Sequence, residues 1–190
     1  MQRSQSSGIN AITFLIALNV LVFVFQLLRP GLGAQLSLSW ITFQHQPWRL
    51  LTAMFAHGGF YHLLFNMISL YFLGGFFLRL VGEAELLKVY FIGGALAGLA
   101  FIVMAPYVST VGASGAVFAI GGALVTMVPR LPVLVFPLPV PVPLWGAMVF
   151  FLVIGLFISG IAWQAHLGGF LFGLLAGYYY RRRRRRPMYY

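Results

Sequence analysis

VGASGAVFAIGGALVTMVPR, residues 111–130, contains no charged residue before Arg130, is rich in Gly and Ala, and closes on Pro129-Arg130. It predicts a short apolar helix over about 113–128, because proline cannot continue the backbone ladder and small residues let another helix approach closely. With GASG at its head, this helix starts inside an apolar layer and not at its surface, so a re-entrant stretch precedes Ser114. Non-helical backbone at that depth persists only where protein buries it or a water-filled cavity receives it. A serine there is submerged and still meets water.

The whole chain carries the same signature. Of 190 residues, 61% are hydrophobic and 7% charged, too little polar surface to clothe a water-soluble globule. Apolar runs near 10–28, 60–79, 86–105, 113–128, 143–159 and 161–180 approach or cross a hydrocarbon core about 30 Å thick. The expected fold is an all-α membrane protein: a six-transmembrane-helix bundle with a long interfacial first loop, about 29–59, and a short, partly submerged fourth helix. The first loop is rich in Trp, Phe and Leu but interrupted by Pro and Gly, which suits an interface better than a span. The fourth and fifth runs are separated by LPVLVFPLPVPVPL (131–144), whose prolines exclude a helix. Expected divisions are a cytoplasmic N-terminus at 1–9, one six-helix domain at 10–180 and a basic cytoplasmic tail at 181–190.

The net charge of +10 is dominated by one run, Arg181 to Arg186, directly after an apolar helix. That placement marks a membrane surface and not a nucleic-acid face, so no nucleic acid is expected as partner. With both termini on one side, Arg3, Arg79, Lys88, Arg130 and Arg181 to Arg186 share it, against Arg29 and Arg49 opposite. This satisfies the positive-inside rule with cytoplasmic termini. Cysteine is absent, which excludes disulfides and thiol chemistry.

Hydrogen-bonding side chains within apolar spans are functional candidates, with packing as the competing explanation. Counting a rise of about 1.5 Å per residue from the first basic residue at each inner edge places Ser114 about 24 Å and His166 about 22 Å up. The same count places His62 at about 26 Å and Asn66 at about 20 Å. Three helices thus deliver polar groups to one layer. A full-width polar path, as a transporter would need, does not follow from this pattern.

Peptide-bond hydrolysis can use paired aspartates, a metal-bound water or an activated nucleophile. The chain has no Asp, no HExxH, and only Glu83 and Glu85, expected in the inner loop. No metal and no cofactor are therefore expected. The nucleophile remains. Ser114 at a helix N-terminus has unpaired backbone N–H groups and a favourable dipole for a developing oxyanion. His166 at matching depth is the candidate base, and Gly168 and Gly169 let its helix approach. With no carboxylate beside it, a stacked ring or a carbonyl must orient the imidazole, and Phe118, one turn past Ser114, is the candidate ring. His62 and Asn66, at i and i+4, are candidate oxyanion donors.

GASGAVF (112–118), HGGFYHLLFN (57–66) and AHLGG (165–169), in this order, resemble the rhomboid family of intramembrane serine proteases in its basic six-helix form. The Trp48-Arg49 pair in the first loop resembles that family too. The resemblance implies Ser114 as nucleophile, His166 as general base, and His62 and Asn66 as oxyanion-stabilising side chains. Gly112 and Gly115 would shape the oxyanion loop, and Gly169 would let the sixth helix approach the fourth. It also implies single-span transmembrane substrates, cut near the outer face at helix-destabilised segments after a small residue. Entry would be lateral, beside the fifth helix, with residues near 159–164 capping the site. The expected location is a prokaryotic plasma membrane. A catalytically inactive relative that binds membrane clients is the alternative.

Overall fold

The computed structural model describes residues 10–135 and 140–185. Arg3, Arg186, the expected N-terminal segment 1–9 and the end of the basic tail lie outside the described residues. The fold is mostly helical. Helix α1 (Ala11–Leu28) opens on Asn10, whose side chain accepts the Thr13 N–H at 3.0 Å and so serves one of the unpaired donors of the first turn. Three short helices follow in the first loop: α2 (Leu32–Leu36), α3 (Trp40–His45) and α4 (Arg49–Thr52), with a 3-10 turn at Ala53–Phe55. Next comes one long helical segment, Phe60–Val81, made of α5 (Phe60–Ser69), a π-helical turn (Leu70–Gly74) and α6 (Gly75–Val81). Then come α7 (Glu83–Met104), α8 (Ser114–Met127), α9 (Leu144–Gly155) and α10 (Trp163–Arg185). Between α8 and α9, Pro132–Val133 pairs antiparallel with Val142–Pro143.

Ala11–Leu28, Phe60–Val81 and Glu83–Met104 are each long and apolar enough to cross a membrane. Helices α8 and α9 are apolar but have 14 and 12 residues, short of the roughly 20 that a full crossing takes. Helix α8 begins at Ser114, within a residue of the expected start. It is also the best-buried helix, with every residue from Gly115 to Leu124 shielded between α7 and α10. The outward surface of α1 remains apolar, with Phe14, Leu21 and Leu27 more than half exposed, as suits a lipid-facing side.

Several boundaries move, each for a local reason. Glu83 and Glu85 stand in the first turn of α7 and not in a loop, where carboxylates favour the positive end of the helix dipole. Glu83 also accepts the Ala11 N–H at 3.0 Å, capping α1, while Glu85 accepts the Tyr180 hydroxyl at 2.7 Å and pairs with Lys88 at 2.9 Å. The two acids therefore fasten the ends of α1, α7 and α10. Helix α9 stops at Gly155, earlier than the expected 159, and Gly160 (φ +85°) turns the chain towards α10. Helix α10 runs on past 180 to Arg185, since arginine is a good helix former.

The seam that sets the centre of the bundle lies between α8 and α10. A Cβ on Gly169, Gly173 or Gly177 would strike the carbonyl oxygen of Gly115, Ala119 or Ala123 respectively. Glycine at every fourth position of α10 thus faces every fourth position of α8, and the two backbones touch.

Candidate active site

Ser114 is the first residue of α8, and the first ladder bond of that helix runs from the Val117 N–H to the Ala113 carbonyl at 3.0 Å. The N–H groups of Ser114, Gly115 and Ala116 precede the ladder, so they are the donors available at this end. The glycine seam carries α10 onto the same point. With Gly169 seated on Gly115, His166 lies one turn back on α10 and Ser114 one residue back on α8. The result is a hydrogen bond of 2.8 Å between His166 Nε2 and Ser114 Oγ. Phe118, one turn past Ser114, lies flat on the imidazole, with ring centroids 4.3 Å apart and planes 13° from parallel. His166 Nδ1 is buried without a hydrogen-bond partner among the described residues. The ring is thus oriented by stacking on one face and by the serine at one edge, with neither a carboxylate nor a carbonyl at Nδ1.

His62 reaches the same region from α5. Its Nδ1 accepts the Gly58 N–H at 3.3 Å, so the neutral imidazole carries its proton on Nε2. That edge lies against Gly112, where a Cβ would stand 2.7 Å from both Cε1 and Nε2 of His62. Gly112 also has φ +127°, a conformation that side chains disfavour, so glycine is required there on two counts. Asn66 is buried, and its amide turns back along its own helix to donate to the His62 carbonyl at 2.8 Å. The structure therefore brings Ser114, His166 and Phe118 together, sets His62 against Gly112, and engages Asn66 with the backbone of His62.

The stretch ahead of Ser114 is irregular but tied down. Leu38 and Thr110 exchange backbone hydrogen bonds at 2.9 and 2.8 Å, and the Gly112 N–H donates to the Ala53 carbonyl at 2.8 Å. The first loop thus holds the backbone leading into the serine. Arg49 holds the loop in turn, donating from Nε to Gln46 Oε1 at 2.8 Å and from its guanidinium to the carbonyls of Ala34 and Ser37 at 3.2 and 3.0 Å. A small cavity of about 30 Å³ sits beneath, lined by Leu50, Met54, Gly98, Thr110, Ser114 and Ala165. That is room enough for water, which needs a cavity of at least about 10–15 Å³ by this measure.

Sequence reasoning named Gly169 but passed over its repeat at Gly173 and Gly177, and it passed over two further supports. Gln26 brackets the backbone of His57, accepting its N–H at 2.9 Å and donating to its carbonyl at 3.1 Å. The His57 ring, almost wholly buried, then packs edge-on against His62 at 5.1 Å. Its position five residues before His62, inside HGGFYHLLFN, was the available signal. The Gly169, Gly173 and Gly177 repeat was legible as glycine at every fourth position. The pairing of Leu38 with Thr110 left no sequence signal.

These features define a helical integral membrane protein with a serine and a histidine hydrogen-bonded at the head of a buried helix. Residues 44–183 match the Rhomboid domain, and the chain belongs to the rhomboid family. It is 41% identical over 83 residues to the putative rhomboid protease YdcA of Bacillus subtilis, covering 43% of this chain and 41% of that protein. It is 28% identical over 150 residues to the mitochondrial Rhomboid protein 1 of Saccharomyces cerevisiae, covering 68% of this chain and 40% of that one. The Inactive RHOMBOID-like protein 8 of Arabidopsis thaliana is 30% identical over 91 residues, 47% of this chain and 26% of its own. The chain spans less than half the length of each of these relatives.

Proposed function

We propose that this chain is an intramembrane serine endopeptidase using a Ser114-His166 dyad. The observation that carries the reading is the 2.8 Å contact of His166 Nε2 with Ser114 Oγ at the head of α8, with Phe118 stacked on the imidazole. Ser114 Oγ attacks the scissile carbonyl carbon while His166 Nε2 takes its proton. The negative charge that develops on the carbonyl oxygen meets the N–H groups at the start of α8 and the Nε2–H of His62. His166 then returns the proton to the departing amine, leaving an acyl group on Ser114. A water molecule, giving its proton to His166 Nε2, then attacks the acyl carbon; the bond to Ser114 Oγ breaks, the new carboxyl product leaves, and His166 returns the proton to Oγ. Phe118 replaces the carboxylate of a Ser-His-Asp triad as the element that fixes the ring, although it cannot stabilise the imidazolium as a charge would.

The substrates in this reading are single-span membrane proteins, opened near the outer face of a plasma membrane at segments that leave helical geometry readily. Six helices enclose the site, α8 and α9 being short ones; the first loop rests in the interface and both termini face the cytoplasm. Substrate enters laterally beside α9, and the segment after Gly155 covers the site.

A relative carrying the word inactive in its name makes client binding without hydrolysis the reading to separate. A fluorophosphonate probe should label the purified chain at Ser114, and His166→Ala should abolish labelling without loss of folded protein. Absence of labelling in the wild-type chain favours the binding protein. A second expectation concerns the oxyanion. His62→Ala should reduce the cleavage rate about 10²- to 10³-fold, as loss of one preorganised donor does elsewhere. Asn66→Ala should cost less, because the Asn66 amide is already satisfied on its own helix. Equal losses in side-by-side kinetics would contradict this ranking.

A further inference from the structure

At the end of α7 and α10 remote from Ser114, the two helices part to leave an open groove of about 360 Å³. Twelve residues separate Glu85 from Ala97, which lines the pocket beside Ser114, so the Glu85 end of this groove is roughly 18 Å along α7 from the serine. Its rim carries Lys88 and Arg183, and its wall is formed by Ile92, Phe172 and Ala176. We propose that it holds one anionic phospholipid of the leaflet on that side, with the phosphate against Lys88 and Arg183 and an acyl chain along the apolar wall.

The charges favour an anion. Glu85 is on the rim as well, but one of its oxygens takes Lys88 at 2.9 Å and the other the Tyr180 hydroxyl at 2.7 Å. Its negative charge offsets one of the two cations and holds Lys88 in place, leaving the rim at net +1, while the lysine keeps two further N–H donors on a side chain that is 60% exposed. The neighbouring arginines are directed elsewhere. Arg181 donates to the Thr126 carbonyl at 3.3 Å, and Arg182 lies over the Tyr178 ring at 4.7 Å. Arg183 is the one of these three that lines the groove.

The wall distinguishes a lipid from a soluble phosphate. Ile92 is half exposed, and the apolar surface continues along Leu96 on α7 and Leu171 and Leu175 on α10, all of them exposed. A free phosphate ester would use only the rim. A phospholipid uses the rim and the wall together, and the bilayer supplies it at that depth. The site differs from the general attraction of an arginine run for anionic headgroups, since it depends on two particular cations and a particular cleft.

The test uses the full chain purified in a zwitterionic detergent, with bound lipid counted by native mass spectrometry during titration with phosphatidylglycerol, phosphatidylcholine or glycerol phosphate. One phosphatidylglycerol should be retained in preference to phosphatidylcholine. Lys88→Gln with Arg183→Gln should weaken that retention by at least about tenfold, two surface cations being involved. Arg182→Gln should leave it within about twofold, as that cation is directed elsewhere. Ala176→Trp, which fills the cleft and keeps every charge, should also displace the lipid. Size-exclusion profiles identify any variant that has not folded. Equal loss in Arg182→Gln, an unaffected Ala176→Trp, or displacement of the lipid by millimolar glycerol phosphate would each overturn the proposal.

Discussion

Ser114→Ala is expected to abolish cleavage of a transmembrane reporter while leaving the protein folded and at normal abundance. In the proposed mechanism this hydroxyl forms the acyl intermediate, so the loss should be at least about 10³-fold, limited by whatever rate water alone supports. Stability should change far less. Removing the hydroxyl deletes one hydrogen bond, to a histidine whose ring Phe118 still holds, and such a loss costs about 1 kcal/mol. Co-expression of the wild type and the variant with a panel of single-span membrane proteins, followed by sequencing of new termini, reads activity and cleavage position together. Undiminished cleavage by Ser114→Ala would remove Ser114 from the chemistry.

Gly169→Ala is expected to be among the most destabilising single-methyl additions in the chain. An alanine in a helix interior ordinarily gains about 1 kcal/mol over glycine. Here the new Cβ would run into the Gly115 carbonyl, which is backbone in the first turn of the best-buried helix and is shielded on all sides. Overpacking of that kind costs about 3 kcal/mol, so the propensity gain is outweighed. Gly75→Ala is the control, because nothing lies within 4 Å of its would-be Cβ and the substitution should be neutral or mildly stabilising. Thermal unfolding in detergent compares the two. If Gly169→Ala melts with Gly75→Ala, the backbone seam does not hold the bundle together. The same variant should lose cleavage, since pushing α10 outward lengthens the 2.8 Å contact between His166 and Ser114.

Much of the site was legible in local pattern. Ser114 stood out as a polar residue heading a small-residue helix, and Phe118 followed from the one-turn spacing that puts it on the same face. His166 was found by depth, a one-dimensional quantity that residue counting supplies. Asn66 is the instructive case. Its i, i+4 relation to His62 was read correctly as a shared face, but the same spacing lets its amide bond the His62 carbonyl, a competition that position alone cannot resolve. Glu83 and Glu85 show the converse, with acids assigned to a loop by polarity becoming caps once α1 and α10 came within reach.

The sequence by itself determined the solvent, the approximate helices and the chemistry available. Apolar length, the prolines at 129 and 131–144, and the absence of Asp and Cys are properties of residue types along a line, and physical rules act on them directly. Tertiary structure alone decided how the serine is held. The Leu38-Thr110 and Ala53-Gly112 backbone bonds and the seating of α10 on α8 join segments distant in sequence through main-chain groups that every residue shares. Such contacts depend on how close the backbones come, and that distance is known only when the chain has packed.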